Sequence, residues 1–357
     1  MLSSQEFRPD WASAPGDTIA DILRERNLSL TEFAERMGCT PEQTMDLLQG
    51  RASITIGIAR RLEEVLGASV EFWMSRDFQY REDIARLHMV DEEWLSELPV
   101  GDMIKFGWLK PVPHPSHEMT ACLRFFDVPS VAAWRQAYAD LQEMVAFRTS
   151  CSFESRPAAV AAWLRQGEIE AEAIECSFWD PRRFEESLLS IRFLTREKRP
   201  SRFIPELRKL CAAGGVAVAV VRAPNGCRAS GATRFISRNK ALLLLSFRHL
   251  SDDQFWFTFF HEAGHVLLHG DKGFFIEGVE AAATKEEQEA NEFAGRTLVP
   301  PEFRPALFDL PLDGREVIRF ARRVGVSPGI IVGQLQHYGR IKHNQLNSLK
   351  RRFRWEE

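Results

Sequence analysis

Two histidines one helical turn apart, with a glutamate beside the first, are the strongest chemical signal in the chain: His261-Glu262-Ala263-Gly264-His265. On a helix, residues four apart project from one face, so both imidazoles reach a single ion. Zn²⁺ suits imidazole nitrogen, and a catalytic zinc takes three protein ligands while keeping a fourth position for water. Glu262 is then placed to take a proton from that water once the metal has lowered its pKa. Phe255, Trp256, Phe257, Phe259 and Phe260 precede the motif and cover the helix all round. Such a helix lies inside the protein, and polar groups buried there need partners. A metal ion satisfies both histidines and gives the glutamate a task.

The third ligand must come from another segment. His269 continues the four-residue series but sits eight residues beyond His261, about 12 Å along the axis. The three histidines therefore do not share one ion, and His269 is expected as a neighbour of a ligand, a substrate contact or a cap. The longer pattern H-E-x-x-H-x-x-G-x-x-H fails because Leu268 and Asp271 occupy the needed positions. In the helical pattern 284–298, Ala290, Phe293, Ala294, Thr297 and Leu298 form the inward stripe, and Glu287 lies on it. Glu287 is the expected ligand, Glu289 is the alternative, and Asn291 is a hydrogen-bond partner that orients a ligand histidine. Glu286 and the other acidic residues there read as a solvated face. A tetrahedral oxyanion needs a further donor, for which His269, His337 and Tyr338 are candidates.

The elements that must position this chemistry begin near residue 214, where the hydrophobic period changes. GGVAVAVV at 214–221 and ALLLLSF at 241–247 are short apolar runs that read as buried strands. Long helical patterns follow at 252–269, 284–298 and 314–323, which makes this part α+β. Upstream, residues 125–200 read as a helical scaffold, with Pro129, Pro157 and Pro181 near helix starts. KPVPHPSH at 110–117 is the clearest linker-like segment. Four segments are expected: a helical module over 1–85, a helical scaffold over 86–200, the α+β domain over 201–305, and a basic helical extension over 306–357. The fold class is multidomain and mainly α.

Residues 16–80 form a run of short helices. Ile19, Ile22 and Leu23 share one face, and Leu30, Phe33, Ala34 and Met37 share another after the cap Ser29. Gly38 ends that helix, and Thr40-Pro41 opens the next with a cap and a first-turn proline. Gly50 closes it, and Ile58, Leu62, Val65 and Leu66 make a fourth helix ending at Gly67. Helices 30–37 and 41–49 around Gly38-Cys39-Thr40 fit a helix-turn-helix. The second helix would then face the major groove, with Thr40, Gln43 and Thr44 as DNA-binding candidates beside Glu42. Gln43 has the donor–acceptor pair for adenine, and Arg51 and Arg60 could hold phosphates. Against this, the reading helix carries Glu42 and Asp46 with no basic residue, and phosphates repel that charge. Protein docking by the module is the competing expectation.

Two resemblances add to this reading. PGDTIADILRERNLSLTEFAERMGCTPEQTMDLLQGRASITIGIARRLEEVLGASVEFWM resembles the Xre-type regulators, especially the HigA-like antitoxin branch. This implies operator DNA as a partner, usually bound by a homodimer. FTFFHEAGHVLLHG followed by EEQEANEFAGRTLVP resembles the ImmA/IrrE metallopeptidase family, whose members show a HExxH helix and a later E-x-x-A-N-x-F-A…L-x-P segment. The resemblance covers roughly 200–305. Together they imply a cytoplasmic zinc endopeptidase working in gene regulation, one zinc per chain, cutting a repressor or antitoxin. A regulator or antitoxin with a structural or sensory zinc is the alternative.

Composition bounds the rest. The chain has 357 residues, 45% hydrophobic and 27% charged, as in ordinary globular proteins. No run approaches 18 apolar residues, which excludes a transmembrane helix, and MLSSQEFRPDWASAPGD has no secretory pattern. Cys39, Cys122, Cys151, Cys176, Cys211 and Cys227 are scattered without a CxxC pair, which suits a reducing cytoplasm. Charge is polarised: residues 1–85 carry 9 Lys+Arg against 15 Asp+Glu, and residues 201–357 carry 23 against 17. Arg340, Lys342, Lys350, Arg351, Arg352 and Arg354 cluster near the end, and a solvated basic helix is the first expectation for them. His114 and His117 lie in the proline-rich segment without acidic or thiol neighbours. The tryptophans read as packing anchors. No phosphate loop or GxSxG elbow occurs.

Overall fold

The computed structural model describes residues 11–112, 115–139, 141, 155–270, 275–277 and 284–355. His114, Cys151 and Asp271 lie outside the described residues. The protein is mainly helical, and it divides into two compact units, Met1–Ser96 and Glu97–Glu357. No helix among the described residues is long and apolar enough to cross a membrane.

The first unit is built from α1 (Pro15–Glu25), α2 (Leu30–Met37), α3 (Pro41–Leu48), α4 (Ile56–Leu66) and the long α5 (Val70–Glu97). Its helices start where side chains can satisfy the orphan amides of the first turn. Ser29 accepts from the Glu32 amide while Glu32 returns a bond to the Ser29 amide, and Thr40 and Gln43 repeat this exchange at α3. Gly38 ends α2 at φ 61°, a left-handed conformation natural to glycine. Ile19, Phe33, Met37, Leu47, Leu62, Leu66 and Trp73 form the buried core.

In the second unit, prolines open the scaffold helices as their first residues: α9 (Pro157–Glu172), α10 (Pro181–Leu194) and α11 (Pro200–Ala212). They follow three shorter helices, α6 (Val100–Lys105), α7 (Pro115–Phe126) and α8 (Val131–Ala137). A four-stranded sheet of order β1-β3-β2-β4 comes next, from β1 (Val216–Val220), β2 (Gly231–Ser237), β3 (Lys240–Leu245) and β4 (Phe275–Glu277). β1 and β3 are parallel, with Val216 opposite Ala241, and β2 is antiparallel to both β3 and β4. The parallel pair is buried on both faces, so its residues are apolar in unbroken runs. Val218, Leu243 and Leu245 face the main core, whereas Leu244 lies against Gly167 of α9.

The main core is closed by α12 (Asp252–His269), α13 (Lys285–Leu298), α14 (Arg304–Phe308), α15 (Gly314–Val324) and α16 (Pro328–His337). Scaffold residues Phe184, Leu188, Phe203 and Leu207 and the late residues Ile341 and Phe353 belong to the same core. Texture changes along the sequence near 200 and 305 thus do not separate compact bodies here. The basic tail is not a solvated helix. Lys350 pairs with buried Asp253 at 2.6 Å, and one Arg351 guanidinium nitrogen reaches the carbonyls of Thr195, Arg196 and Glu197. Arg352 bridges to Ser251 in β fashion, and Phe353 is buried among Phe203, Phe247 and Phe255. Aromatic residues interleaved with the charges carry the tail inward, which a count of charges does not register.

Candidate metal centre

Most of α12 is buried, from Asp252 to His269, with Gln254 and Leu268 as its exposed positions. The helix α13 packs closely against it at Gly264: a Cβ there would stand 3.1 Å from Phe293 and 3.3 Å from the Ala290 backbone. The glycine between the two histidines therefore sets the helix–helix distance. Glu287 and Asn291 flank Ala290 on α13 and are brought against His261 and His265 by this approach. Glu287 sits in the first turn of α13, where its amide is capped by Thr284, and the helix dipole favours a negative charge there.

Three donor atoms converge. The His261 and His265 Nε2 atoms are 3.0 Å apart. The Glu287 carboxylate oxygens lie 3.3 Å from His261 Nε2 and 3.5 Å from His265 Nε2. Among the described residues, His261, His265 and Glu287 form the group able to hold a metal ion. Both histidines are 1% exposed. Burial would raise the Glu287 carboxyl, but hydrogen bonds from the two histidines and their charge hold it well below the usual carboxylate range. Burial, and next the neighbouring imidazoles, depress His265 despite the opposing pull of Glu287. An ionised carboxylate beside two buried imidazoles, one of them held below its usual pKa, is a donor set that suits a divalent ion, so these residues fit a metal.

The surrounding contacts orient the donors. Asn291 Oδ1 is 3.0 Å from His261 Nδ1. His265 Nδ1 is 3.2 Å from His269 Nδ1, and His269 Nε2 is 2.9 Å from Glu289. Glu289 also pairs with Lys285 at 3.3 Å. Glu289, the alternative third ligand, therefore reaches His269 rather than the converging pair. Glu262 is fully buried and lies on the start of β2, where a Cβ on Gly231 would come within 2.6 Å of its carboxylate.

Gly264 and Gly231 are the site residues that sequence reasoning overlooked. A lone glycine inside a buried helix was the available signal for Gly264; nothing in GATRFIS marks Gly231, because β2 is too polar to stand out as a strand. Of the oxyanion candidates, His269 is engaged by His265 and Glu289. His337 lines a cavity of about 170 Å³ with Asp253, Phe257 and Gln334. Tyr338 packs on Phe308 and His337.

The helix-turn-helix candidates fare differently. Thr40 and Gln43 are exposed but bond to each other's amides. Thr44 is 4% exposed and its hydroxyl donates to the Thr40 carbonyl, so it presents nothing to a partner. Arg51 pairs with Asp46 at 2.8 Å.

Residues 216–335 match the IrrE N-terminal-like domain family, Peptidase_M78. The IrrE-like stretch begins at β1 and runs through α12 and α13 into α16, so it contains every converging donor. A 61-residue stretch, 17% of the chain, is 41% identical to an uncharacterized HTH-type transcriptional regulator, YddM, of Escherichia coli strain K12. The chain spans 65% of that regulator's length. The protein thus joins an IrrE-like domain to a segment similar to a helix-turn-helix regulator.

Proposed function

We propose that the protein is a zinc-dependent endopeptidase that cleaves a regulatory protein, a repressor or antitoxin. The observation that carries this reading is the convergence of His261, His265 and Glu287 beside buried Glu262 within the IrrE-like stretch. These three residues would hold the zinc ion, which supplies Lewis acidity and acidifies a water. Glu262 takes the proton of the attacking water and returns it to the leaving amine. Its seat on β2 at Gly231 fixes the carboxylate against a backbone that has no side chain to displace it. Asn291 accepts from His261 Nδ1, which leaves Nε2 for the ion.

The N-terminal unit supplies targeting. Similarity to an HTH-type regulator supports operator binding, with Thr40, Gln43 and Arg51 at the surface. The acidic face of α3 supports instead the recruitment of a protein substrate.

Two measurements test this. Elemental analysis should find about one zinc per chain in the wild type and none above background in His265→Ala. In a cell extract, new protein N-termini should appear with wild type and be absent with Glu262→Gln. Zinc-free wild-type protein after reconstitution, or unchanged cleavage by Glu262→Gln, overturns the reading.

A further inference from the structure

His269 and Glu289 form a chain of hydrogen bonds that ends on a proposed metal ligand. His269 is 1% exposed at the last turn of α12, and its ring sits 5.3 Å from that of His265. Its Nε2 is 2.9 Å from Glu289, and its Nδ1 is 3.2 Å from His265 Nδ1. An ionised carboxylate only accepts, so the proton between His269 and Glu289 belongs to His269 Nε2. Lys285, 3.3 Å from the other Glu289 oxygen, favours that ionised form. With the ring hydrogen placed on Nε2, His269 presents Nδ1 as its acceptor. Two facing lone pairs at 3.2 Å would repel, so His265 must carry its hydrogen on Nδ1. Its Nε2 then offers a lone pair to an ion, at the atom that stands 3.0 Å from His261 Nε2 and 3.5 Å from Glu287, three acceptors that a cation between them reconciles.

We propose that His269 and Glu289 are positioning residues whose hydrogen-bond relay fixes the Nδ1–H tautomer of His265 and so offers its Nε2 to the metal. The inference rests on the metal-site reading above. Each ligand histidine then has its own support: Asn291 for His261, and the His269–Glu289 pair for His265. Without the acceptor on His269, both tautomers of His265 are open, and one of them points an N–H at the ion.

The test measures zinc affinity of the full-length, metal-free protein by competition with a chromophoric chelator, for wild type, His269→Phe, His269→Asn and Glu289→Ala. His269→Phe keeps the ring volume and removes the acceptor; zinc should bind about 10- to 100-fold more weakly. In His269→Asn the side-chain oxygen can accept from His265 Nδ1–H, so affinity should return most of the way. Glu289→Ala, a change at a half-exposed position, should weaken binding less than His269→Phe. With zinc bound, ring ¹⁵N spectra should show a hydrogen-bonded His265 Nδ1–H, protected from exchange, in wild type and His269→Asn, and a rapidly exchanging one in His269→Phe. Wild-type protein that binds no zinc overturns the metal reading itself. Zinc affinity within twofold of wild type in both His269→Phe and Glu289→Ala overturns the relay alone.

Discussion

The polar residues of α12 and those of α3 are put to opposite uses. On α12, His261, Glu262, His265 and His269 are all buried, and three of them face partners drawn from another helix. On α3, Thr40 and Gln43 are exposed and bond to each other across the helix start. Burial makes the first set informative. An imidazole or carboxylate removed from water costs free energy unless something answers it, so its presence calls for a ligand. An exposed threonine–glutamine pair at a helix start is accounted for by capping alone, and carries no message about DNA.

Several changes would break or sharpen that contrast. The largest expected effect is on Glu262→Gln, which should lower the cleavage rate by about 10²- to 10⁴-fold while leaving zinc content unchanged; followed side by side, rate and metal content must separate. Zinc itself should act as a stabilising ligand of the second unit. At a free concentration of 100 times Kd, it adds about 2.7 kcal/mol to the stability of a protein that binds it only when folded. Thermal unfolding with and without zinc should show this in wild type, and Glu287→Gln should show much less. Gly264→Val overfills the α12–α13 contact and should destabilise by about 1–3 kcal/mol, read from urea unfolding, with zinc affinity falling in parallel. On the other side of the contrast, Thr40→Ala should cost about 1 kcal/mol through loss of the cap. If it instead abolished operator retention in a gel shift with stability unchanged, α3 would prove to be a reading surface after all.

The last signal appears only against pH. Burial raises the Asp252 carboxyl above its usual value, while bonds from Ser327 and the Arg351 amide oppose the shift. An acid whose folded pKa is raised costs stability as pH climbs from the unfolded value through the folded one, because the unfolded chain ionises more readily. Asp252→Asn removes that loss. Its urea midpoint relative to wild type should therefore improve between pH 4 and pH 7, and a flat difference would show that Asp252 ionises freely in place.

How much of this was legible in the sequence follows the same division. The capped helices of the first unit, the strands VAVAV and ALLLL, and the helices bearing the donors are written in caps, glycines and periodicity. Glu287 was legible because the inward stripe of α13 named its face. β2 was not, since a strand whose outer half is Arg234–Ser237 alternates too weakly to be seen. The inward course of residues 350–355 was hidden for another reason: Phe353 and Trp355 are two aromatics among four basic residues, and the partners that draw them in lie about 100 to 150 residues upstream, in α11, in the loop after β3 and in α12.

That tail has a bearing on the order in which the protein can be made. Asp252 exchanges backbone and side-chain hydrogen bonds with Arg351, and Asp253 meets its cation in Lys350. While the chain is still emerging from the ribosome, the helix that bears His261 and His265 is complete long before those two partners exist. Its first turn then holds two carboxylates with no cation from the tail to cover them, and the aromatic socket of Phe203, Phe247 and Phe255 stands open for Phe353. The helix that bears His261 and His265 is therefore seated by residues about a hundred positions downstream, and a nascent chain cannot complete this core before Lys350–Phe353 have emerged.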